Sequence, residues 1–320
     1  AALAVATMII CAVGVFIDIA VITVAPIALA IGERAGLSKS GILLAMIGGG
    51  KAGNIVSPNP NTIAVTEAFK LDLTAVMMKN LIPALCALIA TIVLASLLAK
   101  KAGDGISQND LEATPAEKLP NALQAFAGPL TVIVLLALRP LAKISVDPLI
   151  ALPLGGLVCI LVTGNIRNLI PYTDFGLSKV IGVAILLIGT GTIAGIIKAS
   201  ALQKDMTALL SAMNMPAFIL APLSGILMAA ATASTTAGST VASQTFSGTL
   251  LAAGVPALSA AAMIHAGATV LDSLPHGSFF HATGGSVYMD IKNRMKLIPF
   301  EALIGLTSTI VAVILYLVTA

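Results

Sequence analysis

The sequence predicts an all-α integral membrane protein, and three observations support that class. Hydrophobic residues fill 58% of the 320 positions and charged residues only 10%, whereas a soluble domain carries roughly 25% charged residues. Several uncharged stretches are long enough to cross a bilayer, which takes about 20 apolar residues. Polar segments rich in Gly, Pro or hydroxyl groups interrupt two of these stretches. We therefore expect a multi-pass protein of the cytoplasmic (inner) membrane of the cell, with lipid around its apolar surface.

Composition also excludes several classes of function. The net charge is only +3 and the basic residues form no long run, so no nucleic-acid partner is expected. The three cysteines are scattered through apolar stretches, which is typical of small core residues and not of disulfides or a metal site. The sequence contains no phosphate-binding loop for nucleotides. We therefore expect neither a cofactor nor a metal ion.

The chain opens inside an apolar run, without an initiator methionine or a charged segment. This start differs from that of a signal peptide. It is typical of a protein whose upstream helices are missing, and we expect scaffold helices to precede the sequence.

Charges, Gly and Pro divide the chain into four segments: 1–99, 100–120, 121–166 and 167–320. We interpret the first as one repeat and the last as a second repeat with the C-terminal helix. The second segment gathers charges beside Gly and Pro, which predicts an aqueous loop, and the third predicts connecting or scaffold helices. The apolar runs that predict helices are 3–31, 41–69, 80–99, 121–138, 148–166, 180–197, two within 206–271, of which the second is 256–271, and 297–319.

The first polar interruption, residues 57–62, reads Ser-Pro-Asn-Pro-Asn-Thr. Pro58 and Pro60 remove two backbone donors and disfavour helix at the residues before them, so no continuous helix is expected here. The second interruption, residues 231–240, is small and hydroxyl-rich and lies roughly 175 residues later, a spacing that suits a duplicated unit. Because close helix packing also favours small residues, that simpler interpretation stays open for the second interruption.

Each interruption follows a helix that is itself interrupted, at 16–18 in the first case and at 189–192 in the second. Irregular backbone at membrane depth is tolerated where it lines a buried, wet cavity, and transporters form their sites there from broken helices and re-entrant hairpins in two inverted repeats. The pattern therefore predicts inverted repeats with re-entrant hairpins and broken helices, whose interruptions face one another across a single site.

The side chains at these interruptions suit a carboxylate or polyol guest. Helix N-termini favour negative charge, and amide and hydroxyl groups donate hydrogen bonds to carboxylate oxygens. Lys51 lies near the first interruption and either pairs with the substrate or extends towards the membrane interface. The residues predicted to bind substrate are Ser57, Asn59, Asn61, Thr62, Thr190, Thr192, Ser234, Thr235, Thr236, Ser239 and Thr240.

The chain resembles the gluconate permease family of proton-coupled organic-acid symporters, within the wider ion transporter superfamily. The likeness lies in the Gly-rich helix at 189–195, the hydroxyl-rich stretch at 231–240 and the polar segment at 272–285. The resemblance implies two inverted repeats, each with a re-entrant hairpin and a broken helix, and a homodimer. Before the last helix, the family has a Ser-His-Val-Asn-Asp-type motif, where this chain has Ser-Leu-Pro-His-Gly-Ser-Phe-Phe-His at 273–281. This departure argues against gluconate itself as the substrate.

Ionisable groups inside a membrane are costly, so those in apolar runs are candidates for ion or proton coupling. Asp18 lies midway along an uncharged run, where it binds an ion or only a neighbouring helix. Imidazole titrates near neutral pH, so a proton relay through histidines is a second possibility, with helix packing as the alternative. The predicted coupling residues are Asp18, His265, Asp272, His276 and His281.

Basic residues at 292, 294 and 296 directly precede the last helix, which predicts that this end is cytoplasmic. The function expected from these patterns is ion-coupled symport of a small organic acid anion such as a sugar acid or hydroxy acid, with a proton favoured over sodium as the coupling ion. A sodium/proton antiporter is the alternative. A membrane enzyme is not expected, because the spacing of five between His276 and His281 does not place them on one helical face.

Overall fold

The computed structural model describes residues 1–99, 105–107, 110–111, 121–142, 144, 146–212 and 215–319. Within these residues the secondary structure is helical, and the β pairing is limited to an isolated bridge between Ser38 and Gly105. The predicted all-α class is confirmed for the part of the chain that is described. Most of the predicted aqueous loop at 100–120 lies outside the described residues.

The helices in chain order are α1 (Ala2–Ala12), α2 (Ile17–Arg34), α3 (Lys39–Asn54), α4 (Pro60–Phe69), α5 (Leu73–Lys79), α6 (Leu81–Ala99), α7 (Ala122–Ala142), α8 (Pro148–Val162), α9 (Leu169–Ala199), α10 (Leu202–Ala212), α11 (Leu220–Thr232), α12 (Thr235–Ala252), α13 (Ala257–Gly267), α14 (Ser278–Gly285), α15 (Ile291–Met295) and α16 (Ile298–Thr319). Short 3-10 turns at Ile166–Asn168 and Ala217–Ile219 precede α9 and α11.

The chain divides into two compact units. One consists of Ala1–Ala113 together with Gly189–Ala320, and the other of Thr114–Ile188. In the second unit α7 packs against α8 around the buried side chains of Val132, Leu136 and Ala151. The predicted site residues all belong to the first unit.

The first unit contains the same succession of helices twice. Five pairs of helices begin at positions exactly 218 residues apart: Ala2 and Leu220, Ile17 and Thr235, Lys39 and Ala257, Pro60 and Ser278, and Leu73 and Ile291. The sixth pair, α6 and α16, begins at Leu81 and Ile298. A duplicated unit therefore runs from α1 to α6 and again from α11 to α16.

Local details repeat with the same period. Asp72 caps α5 by accepting a hydrogen bond from the Ala75 N–H at 2.9 Å, and Asp290 caps α15 by accepting one from the Asn293 N–H at 3.0 Å. The left-handed residues Lys70 and Tyr288, with φ of 54° and 53°, also occupy equivalent positions. Equivalent turns with equivalent caps show that the two copies share a backbone conformation as well as helix order.

Close helix contacts repeat as well. Gly49 of α3 faces the carbonyl oxygen of Ala4, so closely that a Cβ there would overlap it. In the second copy Gly267 faces the carbonyl oxygen of Pro222, where a Cβ would lie at 2.5 Å. Both glycines let two backbones approach, as small residues do between membrane helices.

The repeat corrects the period expected from the sequence. The interruption at 57–62 was expected to be equivalent to the one at 231–240, about 175 residues later, but the helices repeat after 218 residues. Each copy contains two breaks, one between its first two helices and one between its third and fourth. The sequence paired the break between the third and fourth helices of the first copy with the break between the first and second helices of the second copy, and these two breaks are not equivalent.

Three helix expectations are wrong in detail. Helix α9 continues through 189–192 without interruption, because Gly and Thr do not by themselves end a helix in apolar surroundings. The interruption expected at 16–18 lies at 13–16, so Asp18 belongs to the first turn of α2. Helix α13 ends at Gly267, well before the predicted end of its span at 271.

Two helical stretches of the described residues are long and apolar enough to cross a membrane: Leu81–Ala99 and Ile291–Thr319. They contain α6 and α16, the equivalent last helices of the two copies. The first helix of each copy is shorter, with 11 residues in α1 and 13 in α11. At 1.5 Å per residue such helices extend about half of the roughly 30 Å of a hydrocarbon core.

We predict that Gly49→Ala and Gly267→Ala each destabilise the protein by about 1–3 kcal/mol, the usual cost of overpacking, because the new methyl group meets a backbone carbonyl that cannot rotate away. The measurement is the midpoint of thermal unfolding in detergent. Gly248→Ala is the matched control, since a Cβ there meets nothing within 4 Å. Equal midpoints for all three variants would contradict the close approach.

Candidate functional site

Three non-helical segments of the first unit meet inside the protein. We call residues 55–59 between α3 and α4 the first break, residues 233–234 between α11 and α12 the tip, and residues 268–277 between α13 and α14 the second break. Hydrogen bonds from the adjoining helix ends, and a packing contact between the tip and the second break, bring them together at a place that we call the junction. The first break overlaps the interruption at 57–62 and the tip lies within the one at 231–240, and these two were expected to face one another.

Asparagine and proline shape the first break. Helix α3 ends at Asn54, and α4 begins at Pro60, whose missing N–H costs nothing at a first helical position. Asn59 caps α4, because its side-chain oxygen accepts hydrogen bonds from the N–H groups of Asn61 at 3.0 Å and Thr62 at 3.1 Å. The N-terminal donors of α4 are thus already bound within the protein, which limits their use for an anion.

The side chains of the first break form one buried polar cluster. Asn54 Oδ1 accepts hydrogen bonds from Asn59 Nδ2 at 2.5 Å and from Asn61 Nδ2 at 3.0 Å. Thr62 Oγ1 donates to the carbonyl oxygen of Ser57 at 2.7 Å. Each of these five residues is at most 2% exposed, so the cluster is closed to solvent and held by its own amides.

The helix that follows the tip contacts this cluster directly. Ala233 adopts a left-handed conformation with φ of 46°, which reverses the chain after α11. Ser234 caps α12 by accepting a hydrogen bond from the Ala237 N–H at 3.2 Å. The next turn carries Thr236, whose Oγ1 donates to Asn61 Oδ1 at 2.5 Å. A hydroxyl of the second copy is therefore bonded to an amide of the first.

A buried ion pair joins the first copy to the second break. Lys51 Nζ lies 2.6 Å from Asp272 Oδ1, and the two side chains are only 1% and 3% exposed. Lys51 also donates to the carbonyl oxygens of Thr269 at 2.7 Å and Glu301 at 3.4 Å. All three ammonium hydrogens thus have acceptors, as a buried charge requires.

The carboxylate of Asp272 is equally well bonded. Besides Lys51, it accepts hydrogen bonds from Thr235 Oγ1 at 2.6 Å and from Ser273 Oγ at 2.9 Å. Gly277, at the end of the second break, lies against the tip, where a Cβ would come within 2.6 Å of Ala233. Asp272 therefore links the end of α3, the start of α12 and the second break.

A second buried pair lies beside the first. Both nitrogens of the Arg294 fork contact the carboxylate of Glu301, and each side chain is 1% exposed. Arg294 also lies 4.8 Å from the centre of the Phe280 ring. Arg294 was one of the three basic residues that predict a cytoplasmic end, but its charge is buried and neutralised by Glu301.

Several buried polar atoms near the junction have no hydrogen-bond partner among the described residues. They include Asn54 Nδ2 and Ser57 Oγ at the first break and both ring nitrogens of His265 in α13. Unpaired buried groups of this kind cost about 1–3 kcal/mol each. Because the paired side of the Asn54 amide is its oxygen, the free Nδ2 presents donor hydrogens, which suit an acceptor such as a carboxylate oxygen.

The predicted substrate residues divide into three groups. Ser57, Asn59, Asn61, Thr62, Thr235 and Thr236 lie at the junction, and Ser234 caps the adjoining helix. Ser239 and Thr240 are buried one turn further along α12, where each hydroxyl donates to the carbonyl oxygen of Thr236. Thr190 and Thr192 lie in α9, the first buried and the second exposed.

The predicted coupling residues are not joined into a relay. Asp272 is bonded to Lys51, Thr235 and Ser273, and its described hydrogen bonds include no histidine. His276 and His281 are exposed, and His281 Nε2 lies 2.8 Å from the carbonyl oxygen of Pro275. Asp18 is partly buried and accepts a hydrogen bond from the adjacent Ile19 N–H at 2.9 Å.

Sequence analysis missed Asn54 and Glu301 and left the role of Lys51 open. Asn54 accepts hydrogen bonds from the other two asparagines, and its place at the end of a Gly-rich apolar run was the available signal. Lys51 was similarly visible as the only cation in its apolar run. Its partner lies 221 residues away, which no local pattern indicates.

The chain is 58% identical over 315 residues to a protein of Haemophilus influenzae named "Uncharacterized transporter", and the match covers 98% of this chain and 75% of that protein. No known family profile matches the chain.

We predict that Thr236→Val destabilises the protein by about 1–3 kcal/mol, because the isosteric side chain leaves the oxygen of Asn61 without its donor. Thr309→Val is the matched control. Thr309 is also buried, but its hydroxyl donates to Gly305 within its own helix at 2.8 Å. The midpoint of thermal unfolding in detergent checks the difference, and equal losses for both variants would show that the link between the two copies adds nothing.

Proposed function

Because the chain belongs to the same family as this Haemophilus influenzae transporter, we propose that it is a secondary active transporter of the cytoplasmic membrane. Its proposed reaction is symport of a small organic acid anion, such as a sugar acid or hydroxy acid, with a proton. The resemblance to gluconate permeases supports this substrate class. The proposed role is transport and not enzymatic catalysis.

One observation carries the proposal: three helix breaks converge on a buried cluster of amides and hydroxyls beside a lysine. Non-helical backbone at membrane depth is costly unless it lines a site. The cluster offers unpaired donors at Asn54 and Ser57, and Lys51 supplies a positive charge next to them. Donors beside a cation are the groups that recognise a carboxylate with hydroxyl substituents.

The proposed membrane arrangement is an inverted repeat. Helix α4 of the first copy packs against α12 of the second, and α2 of the first packs against α14 of the second. Because α2 is equivalent to α12 and α4 to α14, these contacts are reciprocal, as a two-fold relation requires. The proposed re-entrant hairpins are α1–α2 and α11–α12, and a homodimer is proposed from the resemblance.

The alternative, a sodium/proton antiporter, would use the oxygen atoms around Asp272 for a cation. Thr235 and Ser273 do supply hydroxyls there. However, the Lys51 ammonium already lies 2.6 Å from the carboxylate, in the position that a sodium ion would take. This arrangement favours the anion symporter.

We predict that the purified protein in proteoliposomes exchanges at least one of radiolabelled gluconate, citrate, lactate and 3-hydroxybutyrate in counterflow. Absence of exchange for all four, together with sodium-dependent proton movement, would contradict symport and favour the antiporter.

A double substitution, Asn59→Ala with Asn61→Ala, is expected to abolish this counterflow, because it removes the amides that shape the first break. The exposed Asn168 provides the control, since Asn168→Ala should exchange as the wild type does. Both variants are assayed after elution as a single species in size-exclusion chromatography. Undiminished counterflow in the folded double variant would place the substrate elsewhere.

A further inference from the structure

We propose that the Lys51–Asp272 pair is the coupling switch of the transporter: a proton taken up by Asp272 releases Lys51, which then binds a carboxylate of the substrate. This inference rests on the proposed symport and names the residues that would couple its two ligands. In the structure, Asp272 occupies the place that the carboxylate of a substrate would take.

The contacts of Lys51 leave one route for a carboxylate. Its ammonium has three acceptors, the carbonyl oxygens of Thr269 and Glu301 and the carboxylate of Asp272. The two carbonyls belong to the backbone and stay in place. Only Asp272 can turn aside, and a second anion reaches Lys51 by displacing it.

Charge balance determines when that displacement occurs. The resting pair holds one positive and one negative charge away from water. A substrate carboxylate added beside ionised Asp272 would leave an unbalanced negative charge, which is costly in a medium of low polarity. If Asp272 first gains a proton, the site holds Lys51 as a cation, Asp272 as a neutral acid and one carboxylate, so its net charge is unchanged. One proton therefore enters with each monocarboxylate.

The released lysine would face suitable donors. Lys51 and Asn54 are three positions apart on α3 and so lie on the same helical face. Asn54 Nδ2 and Ser57 Oγ are buried and have no partner among the described residues. A carboxylate held by Lys51 would accept hydrogen bonds from these groups, which accounts for their lack of a partner within the described protein.

Asp272 also contacts the segment that would have to move. Its Oδ2 accepts the hydrogen bond of Thr235, the first residue of α12, and the adjacent Thr236 is bonded to Asn61. Protonation of Asp272 weakens the bond to Thr235, because a charged acceptor binds a hydroxyl more strongly than a neutral one. Protonation of Asp272 therefore changes its contact with the start of α12 as well as its contact with Lys51.

The duplication explains why the proposed switch contains a carboxyl group in one copy and not in both. Asn54 in the first copy and Asp272 in the second are equivalent under the 218-residue period, as are Lys51 and Thr269. The same position is a neutral amide in one copy and an acid in the other. The first copy therefore supplies substrate donors and the cation, and the second supplies the proton acceptor.

Other groups that lie near Asp272 carry a charge or can take one up. Lys51 faces it from α3. His265 lies seven positions before it, in α13, and the Arg294–Glu301 pair lies on α15 and α16 with its charges mutually neutralised. Asp272 is the acid of this group that is bonded to both Lys51 and the start of α12, so its protonation changes both contacts.

The test separates exchange from proton-driven uptake. In Asp272→Asn the position is permanently neutral, as in the protonated state. We expect counterflow of gluconate, lactate or 3-hydroxybutyrate, whichever the wild type exchanges, to stay within about fivefold of wild type, equivalent to roughly 1 kcal/mol. Net accumulation driven by a pH gradient should fall to the level of protein-free vesicles. Gradient-driven accumulation at the wild-type level would overturn the proposal.

A second variant tests the lysine. Lys51→Met combined with Asp272→Asn removes both charges, so no unpaired buried charge impairs folding. The double variant should lose counterflow, whereas Asp272→Asn alone should keep it. If the double variant exchanges substrate as fast as Asp272→Asn does, the role of Lys51 is overturned. If the wild type exchanges none of the acids, the proposed function fails and this inference with it. If the wild type exchanges an acid and both variants behave as the wild type does, this inference fails while the proposed function stands.

Asp110→Asn is the matched control. Asp110 pairs with Lys39 at 2.7 Å near the protein surface, and the hydrogen bond from Lys39 lowers the pKa of its carboxyl. The substitution removes an Asp–Lys pair of the same geometry away from the junction. It should leave both counterflow and pH-driven accumulation unchanged, and a loss in this variant equal to that in Asp272→Asn would overturn the assignment to Asp272.

Discussion

The ion pair between Lys51 and Asp272 holds together the irregular part of this protein. A charge buried in an apolar medium is stable only when it is paired and its remaining hydrogen-bonding capacity is filled. Here Lys51 has three acceptors and Asp272 three donors, drawn from α3, α12, α16 and the second break. Helix ends that would otherwise expose unpaired backbone are thereby fixed around one centre.

Duplication explains how such a centre arises. Two copies with the same helix order bring a break of one copy against the hairpin tip of the other, as Asn61 and Thr236 show. The copies differ in residue type where they meet. Asn54 and Asp272 are equivalent, and so are Asn61 and Phe279, so the polar cluster exists at one of the two related places and not at both.

Part of this arrangement could be predicted from the sequence. The helical class followed from composition, and the first break followed from Pro58 and Pro60, whose effect on the backbone is local. The meeting of the two interruptions was predicted correctly although their equivalence was not. Few side chains match across the 218-residue period, and those that do, such as Asp72 with Asp290, act through capping and not through hydrophobic pattern.

The remaining errors have a common physical origin. From the sequence, the surroundings of a charged side chain were inferred from its position along the chain. In the structure, its burial depends on partners that are distant in sequence. Arg294 was counted with its basic neighbours because it precedes a long apolar helix, but it is buried in an ion pair with Glu301 of that helix. Likewise, Gly189 and its neighbours looked like a helix interruption, although α9 continues through them.

An experimental structure of the protein with a transported acid bound tests the central claim most directly. The account predicts a carboxylate within hydrogen-bonding distance of Lys51 Nζ, with Asp272 turned away and the Asn54 amide donating to the ligand. A ligand bound instead in the shallow pocket lined by Gly191 and Gln244, with the Lys51–Asp272 pair intact, would contradict it.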